Sequence, residues 1–170
     1  MSAQQALAAL VSGEDAAIYA YSVGGARVVR GGRRRALAQL DVHRANRDRA
    51  ASLVVAAGGT PPGSAVAYTL PGPVDSPKAA RALMAEVDNR LVGLYADAAA
   101  ELADADRRWA VRTAATYATS AVAWGAEPQA FPVGTDAPVP TPVSTGTATP
   151  TPAGTDTPAA SPSVATSSAQ

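Results

Sequence analysis

One carboxylate lies inside an apolar helical stripe near the start of the chain. Glu14 follows Leu10 and precedes Tyr21 at helical spacing, which places it on the face of a helix that turns inward. A second apolar stripe carries His43, the only histidine of the chain. Carboxylates and imidazoles that face the core of a helix bundle are side chains that can hold a metal ion there. The sequence therefore predicts a buried polar site between the first two helices.

This predicted site can be either a hydrogen-bonded polar cluster or a metal site. A buried carboxylate normally needs a partner, so we expect a polar core cluster in which Glu14 is bonded to His43 or to Arg47, one turn further along. Alternatively, Glu14, His43 and Glu86 bind one ion, because a catalytic zinc needs only three protein ligands. The apolar stripe of the third helix predicts that Val87, and not Glu86, faces the core. We therefore expect a non-catalytic protein without metal or cofactor, and a reduced-site metal-binding oxidoreductase is the alternative.

Five arginines cluster around the turn between the first two helices. They complement the helix dipole at the end of the first helix and oppose it at the start of the second, which leaves room for an anion or nucleic-acid contact. No aromatic residues interleave with them as stacking platforms, so we expect a solvated basic corner and no nucleic-acid partner. The arginines are Arg27, Arg30, Arg33, Arg34 and Arg35.

The composition excludes several other classes of site. The 170-residue chain has 14 basic and 14 acidic residues and no net charge, so no long-range field attracts nucleic acid or anionic membrane. It has no cysteine, which excludes disulfides, thiolate metal sites and thiol nucleophiles. No segment has the apolar length of a membrane helix or the pattern of a signal peptide, which predicts a cytoplasmic protein. Alanine-rich helix faces permit close approach, so a homodimer is a partner to consider.

Helical periodicity and capping signals predict four long helices. They run from about 2 to 29, 33 to 57, 77 to 102 and 107 to 125. Ser2 fits the first residue of a capping box, and Ser76 precedes a proline as a good N-cap does. Gly31 and Gly32 suit a tight turn between the first two helices, and Asp104 or Asp106 is expected to cap the fourth.

A long connection between the second and third helices defines the topology. The 19 residues from Gly58 to Ser76 can span about 60 Å when extended. A helix of this size is only about 38 Å long, so the connection can cross the whole bundle. Tyr68, Leu70 and Val74 can anchor it against the helices, which favours a crossover over a loop that returns to the same end.

The composition changes abruptly near the C-terminus. From about Gly134, threonine, proline, serine, alanine and glycine dominate, and such a segment buries too little apolar surface to offset its ordering entropy. We expect a four-helix domain over residues 1–133 and a disordered tail over 134–170. The tail is interpreted as a flexible spacer, with docking to a partner as the alternative.

Four sequence motifs resemble a known family. They are GEDAAIYAYSVGGAR (13–27), HRANRD (43–48), GGTPPGSAVAYTLPGPV (58–74) and AEVDNRLVGLYAD (85–97). Together, over residues 3 to 133, they resemble the actinobacterial ferritin-like domain family of unknown function. The resemblance implies a bacterial, all-α, ferritin-like four-helix bundle with a long crossover between helices two and three, and it implies no activity.

The same resemblance implies a pattern of metal ligands that this chain does not complete. Ferritin-like metal sites take one Glu from each of two helices and a Glu-x-x-His motif from each of the other two. Glu14 and Glu86 match the two single positions, and His43 matches one histidine. Leu40 stands where the motif has its Glu, and residues 107–125 contain no Glu, Asp or His. We therefore expect a ferritin-like module without a complete dimetal site.

Overall fold

The computed structural model describes residues 1–129 and 141–143, and the described chain is built almost entirely from helices. The elements are α1 Ala3–Arg27, α2 Gly31–Ala56, β1 Tyr68–Thr69, α3 Pro77–Glu101, α4 Asp104–Trp124 and β2 Thr141–Pro142. The predicted all-α class with four helices is confirmed. None of the described helices combines the length and apolarity needed to cross a membrane.

Two helix starts follow directly from the sequence. The Ser2 hydroxyl accepts a hydrogen bond from the Gln5 backbone, and the Gln5 side chain accepts one from the Ser2 backbone, which completes the predicted capping box. At the start of α3, the Ser76 hydroxyl accepts from the Ala79 backbone at 3.2 Å, and Pro77 occupies the first helical position. Both bonding patterns satisfy donors that a helix N-terminus otherwise leaves without a partner.

Two other predicted helix starts are wrong. Gly31 and Gly32 are the first residues of α2 rather than a turn before it, and Arg30 makes the chain reversal with a φ of 49°. The N-cap of α4 is Ala103, whose side chain cannot cap, and Asp104 is already the first helical residue. Asp104 and Asp106 remain in the first turn, where a carboxylate complements the helix dipole.

The long connection crosses the bundle from one end to the other. Its first residues lie where α1 begins, because the Gly59 backbone packs against the Gln4 side chain. The helix that follows starts where α1 finishes, because Ala80 packs against Gly24. Helices α2 and α3 are therefore parallel, and each is antiparallel to α1. The predicted long crossover is confirmed.

Side chains of the crossover hold it against α1. The Tyr68 ring is buried, with its centroid 5.5 Å from that of Tyr19. The Ser64 hydroxyl donates a 2.7 Å hydrogen bond to the Asp15 carboxylate, which is itself almost fully buried. The predicted anchors Leu70 and Val74 also pack against the core. The crossover is thus fixed by both apolar and polar contacts.

A short part of the predicted tail pairs with this crossover. Strands β1 and β2 form an antiparallel two-residue ladder, and the Val143 backbone amide donates to the Ala67 carbonyl at 2.9 Å. Residues 141–143 therefore depart from the disorder predicted for 134–170. The remainder of that segment lies outside the described residues, and the domain boundary at residue 133 stays a prediction.

The helices pack at two different separations. The closest pairs are α1 with α2, α1 with α3 and α3 with α4. Between α1 and α3 the approach is so close that a methyl group on Gly13 would lie 2.6 Å from a Leu94 methyl carbon. Helices α2 and α4 instead meet mainly through long side chains. We call the first contact the α1–α3 seam. The second, the polar seam, comprises Arg35, Gln39, His43, Asn46 and Arg49 of α2 with their partners on α4.

Candidate functional site: a buried histidine between two carboxylates

A histidine is held between two carboxylates in the centre of the bundle. Glu14 of α1, His43 of α2 and Asp88 of α3 all have side chains with no solvent exposure. The His43 Nδ1 atom lies 2.8 Å from Glu14 Oε2, and its Nε2 atom lies 3.5 Å from Asp88 Oδ1. The first contact is a hydrogen bond, whereas the second is long enough to be mainly electrostatic. Three helices therefore meet at one ionisable cluster.

Three tyrosines donate hydrogen bonds to the two carboxylates. The hydroxyls of Tyr95 and Tyr117 both donate to Glu14 Oε1, at 2.6 and 2.7 Å. The Tyr21 hydroxyl donates to Asp88 Oδ2 at 2.8 Å. An ionised carboxylate only accepts hydrogen bonds, and three donors surround Glu14. The two oxygens of the Glu14 side chain thus accept hydrogen bonds from two tyrosines and face the imidazole of His43.

The geometry favours a protonated imidazole at His43. A neutral imidazole has one nitrogen that can only accept, and here either nitrogen faces a carboxylate oxygen. Burial by itself lowers the pKa of His43, but the hydrogen bonds and negative charges of Asp88 and Glu14 outweigh it and raise the pKa to about 9. The cluster is therefore one buried cation between two carboxylates at neutral pH.

Burial and neighbouring carboxylates also raise the pKa of the three tyrosines. Burial is the largest cause for Tyr21, Tyr95 and Tyr117, and the charge of Asp88 or Glu14 adds to it. All three phenols consequently remain protonated and act as donors. Indole groups extend the network at both ends. Trp124 Nε1 donates to the Tyr21 hydroxyl at 2.8 Å, and Trp109 Nε1 donates to Asn46 Oδ1 at 3.2 Å.

His43 connects the cluster to the polar seam. The His43 ring stacks on the Tyr117 ring with centroids 4.9 Å apart and planes inclined by 14°. The other bonds across the seam follow the same faces of α2 and α4, from one end to the other. Besides the bond from Trp109 to Asn46, they are Arg35 to the Ala123 carbonyl at 2.7 Å, Gln39 to Ser120 at 2.9 Å, Asn46 to Tyr117 at 2.8 Å and Arg49 to Asp106 at 3.2 Å.

Of the three residues predicted to form the polar core cluster, Glu14 and His43 are buried together, whereas Arg47 lies at the surface. Glu14 and His43 are in direct contact, but the ion-pair partners of Arg47 are Asp48 at 3.1 Å and Asp15 at 3.8 Å. The Arg47 side chain is 35% exposed, so this part of the face lies at the protein surface and not in its core. The prediction that Arg47 joins the buried cluster is therefore wrong.

Sequence reasoning chose the wrong carboxylate on α3. Glu86 is only partly buried, and it interacts electrostatically with Arg90, which opposes the rise in its pKa that burial causes. Asp88 is the buried acid. It lies four residues after Met84 and three before Leu91, which are both core residues, so its spacing was a usable signal.

The arginine corner is mostly at the surface. Arg35 has structural contacts, because it donates to the Ala123 carbonyl and its guanidinium lies 5.4 Å from the centre of the Trp124 ring. Arg34 and Arg35 line a surface pocket together with Arg81, between the start of α2 and the end of α4. Anion or nucleic-acid binding at this corner stays a prediction.

The donor set fits a protonated histidine better than a metal ion. The two carboxylates approach different nitrogens of one ring, so the ring separates them instead of joining them as ligands of one ion. Among the described residues, no group of three His, Cys, Asp or Glu side chains is arranged to hold a metal. Leu40 occupies the Glu position of the Glu-x-x-His pattern. Helix α4 contributes Tyr117 to the cluster, whereas the ferritin-like pattern has carboxylate and imidazole ligands there.

Comparisons with known proteins place the chain in a family. A family model described as Domain of unknown function (DUF4439) matches residues 6–136. The chain belongs to this family. The DUF4439 chain is also similar to a solved structure, described as the crystal structure of a conserved hypothetical protein, rv2844, from Mycobacterium tuberculosis. The TM-score is 0.68 and the identity 28%, over 72% of this chain and 94% of that one. No curated protein matches the chain.

The comparisons confirm part of the resemblance seen in the sequence. Membership in a family of unknown function is confirmed, and so is a helical fold shared with another protein. Membership in the ferritin-like superfamily remains a prediction. Neither comparison describes a ligand, partner or reaction.

Proposed function

We propose that this DUF4439 chain is a non-catalytic helical-bundle protein that acts as a structural or binding module. Its buried cluster of Glu14, His43 and Asp88 is then a structural centre and not a binding site for an external substrate. The observation that carries the proposal is the complete burial of all three side chains within a network of internal hydrogen bonds.

Burial argues against chemistry on an external substrate. A general acid or base must come within hydrogen-bonding reach of the substrate, directly or through one water. Surface pockets lie between α3 and α4 and along the polar seam, but Glu14, His43 and Asp88 do not line them. A further pocket, beside the crossover, is lined by Asp15 and Arg47 and also lacks the cluster.

A structural role is consistent with how the cluster joins the helices. Glu14, His43, Asp88 and Tyr117 come from α1, α2, α3 and α4, and each forms a contact with at least one of the others. A change in the register of any helix breaks a bond to a buried charge, which is costly. We infer that the cluster selects one register of the bundle.

Elemental analysis of the purified protein tests this proposal against the reduced metal site. We expect iron, manganese and zinc well below stoichiometric amounts in the unaltered protein, after growth in metal-supplemented medium and after incubation with each divalent ion followed by desalting. Glu14→Gln is the informative variant, and Glu86→Gln is the matched control because it changes a partly exposed carboxylate on α3. Stoichiometric metal that disappears in Glu14→Gln would overturn the proposal.

A further inference from the structure

A continuous chain of aromatic rings runs through the bundle. The ring centroids of Trp124 and Tyr21 are 6.2 Å apart, and those of Tyr21 and His43 are 4.6 Å apart. From His43 the chain continues to Tyr117 at 4.9 Å, to Tyr95 at 5.6 Å and to Trp109 at 5.4 Å. Each ring is thus in contact with the next, from one tryptophan to the other.

The tyrosines and tryptophans of this chain differ in the group that can accept a proton when the ring is oxidised. Each tyrosine hydroxyl donates directly to a carboxylate, which is a proton acceptor. The two indole N–H groups instead donate to neutral oxygens, namely the Asn46 amide and the Tyr21 hydroxyl. An oxidised tyrosine can therefore pass its proton directly to a carboxylate and become a neutral radical, whereas neither indole N–H has a carboxylate as its partner.

A cation lies over each terminal tryptophan. The Arg35 guanidinium is 5.4 Å from the Trp124 ring centre, and the Arg49 guanidinium is 4.6 Å from that of Trp109. These cations oppose positive charge on the indoles. Trp124 is 5% exposed and Trp109 is 6% exposed, so they are the rings of the chain closest to solvent. The arginines disfavour positive charge on the tryptophans, and the carboxylates favour it on the tyrosines, so an oxidised tryptophan should take an electron from a tyrosine.

We propose that the rings on either side of His43 carry single-electron oxidation inward, from Trp124 to Tyr21 and from Trp109 to Tyr95 and Tyr117. The initiating reactant is a one-electron oxidant of the peroxyl-radical class, which gains one electron while a tryptophan becomes a radical cation. Tyr95, whose ring contacts Trp109, then gives one electron to that tryptophan, its O–H bond breaks, and the proton moves to Glu14 Oε1. The products are a restored tryptophan, a neutral tyrosyl radical and a protonated Glu14. The protein is thus a stoichiometric radical sink, a role beyond the proposed structural module.

The test uses photogenerated tris(bipyridine)ruthenium(III) as the one-electron oxidant. Tyr19 and Tyr68 lie outside the ring chain and contact each other, so both are replaced by phenylalanine. Every remaining tyrosine then belongs to the chain, because the sequence has five tyrosines. Transient absorption and electron paramagnetic resonance follow the two kinds of radical.

We expect the tryptophanyl signal to decay as a tyrosyl signal rises, at a rate that is independent of protein concentration and slower in deuterated water. Adding Trp109→Phe and Trp124→Phe should lower the tyrosyl yield several-fold. A tryptophanyl radical that decays without a tyrosyl signal would overturn the proposal, and so would a tyrosyl yield that does not change without the tryptophans. Circular dichroism checks that each variant folds. If the tryptophan variant does not fold, the kinetics of the protein with both tryptophans decide the question.

Discussion

The α1–α3 seam and the polar seam solve the same packing problem with different chemistry. Small residues such as Gly13 and Gly24 let α1 and α3 approach closely, and Leu91 fills the contact. Across the polar seam, long side chains such as Gln39 and Asn46 bridge a wider gap with hydrogen bonds. Apolar burial does not depend on protonation, whereas a seam built on His43 does. The comparison predicts that the stability lost on replacing His43 depends on pH, whereas the stability lost on replacing Leu91 does not.

The largest effect is expected from removing the buried cation. His43→Ala leaves Glu14 and Asp88 without the charge between them, and breaking a buried ion pair in this way costs about 3–5 kcal/mol of unfolding free energy. Urea denaturation measures the loss. Leu91→Ala is the control in the α1–α3 seam, with a loss of about 2–5 kcal/mol from the cavity it creates.

The two variants differ in how their losses depend on pH. The loss from His43→Ala should shrink as the pH rises above 9, where the unaltered protein has also lost its imidazolium. The loss from Leu91→Ala should stay constant. An equal and pH-independent loss in both variants would show that the two seams do not differ in the proposed way.

A smaller loss is expected when one carboxylate loses its charge but keeps its shape. In Glu14→Gln, the bonds from His43, Tyr95 and Tyr117 are no longer made to a carboxylate, which should cost about 1–3 kcal/mol. Glu86→Gln should cost less than about 1 kcal/mol, because an exposed or partly exposed charge contributes little. Thermal and urea unfolding compare the two variants. A greater loss from Glu86→Gln would contradict the assignment of the buried carboxylate.

The individual bridges of the polar seam should each contribute little. Gln39 donates to Ser120 at 2.9 Å in a partly buried position, so this bond is worth about 1 kcal/mol. A double-mutant cycle with Gln39→Ala and Ser120→Ala isolates its coupling energy. Additive losses in the double variant would mean that this bridge does not stabilise the seam.

The smallest effect is expected outside both seams. A chain that ends at Val133 loses the β1–β2 ladder, and its melting temperature should fall by roughly a degree or two because terminal segments contribute little stability. Val143→Pro in the full chain is the control, since it removes the amide that donates to Ala67. A large fall on truncation would show that the tail stabilises the helical domain.

The fold was predictable because its signals are local or depend on simple lengths. Apolar spacing and the caps at Ser2 and Ser76 define helices, and the 19-residue connection is long enough to cross the bundle. The ends of helices were less predictable. The reversal at Arg30 uses a positive φ that the neighbouring glycines adopt more easily, so the sequence pointed to the wrong residues.

The candidate site was only half predictable. Glu14 and His43 are polar residues in apolar stripes, and that contrast is visible in the sequence. Asp88 is equally buried, but the ferritin-like ligand pattern requires a glutamate at this helix, and Glu86 was therefore the candidate. The bonds from Tyr95 and Tyr117 to Glu14 join residues far apart in the chain, and a tyrosine in a stripe looks the same whether or not its hydroxyl has a partner.

The most direct test of the account is a pH titration of the histidine in the folded protein. The chain has one histidine, so its ring proton resonances in nuclear magnetic resonance belong to His43 without further assignment. We expect the pKa of His43 to be raised from 6.5 to about 9, because the hydrogen bonds and charges of Asp88 and Glu14 outweigh burial. The stabilisation from the imidazolium should then be complete below pH 6.5 and be lost as the pH rises through about 9, with unfolding measurements that follow the same curve. A histidine that titrates at or below 6.5 in the folded protein would contradict the account, because burial would then outweigh both carboxylates.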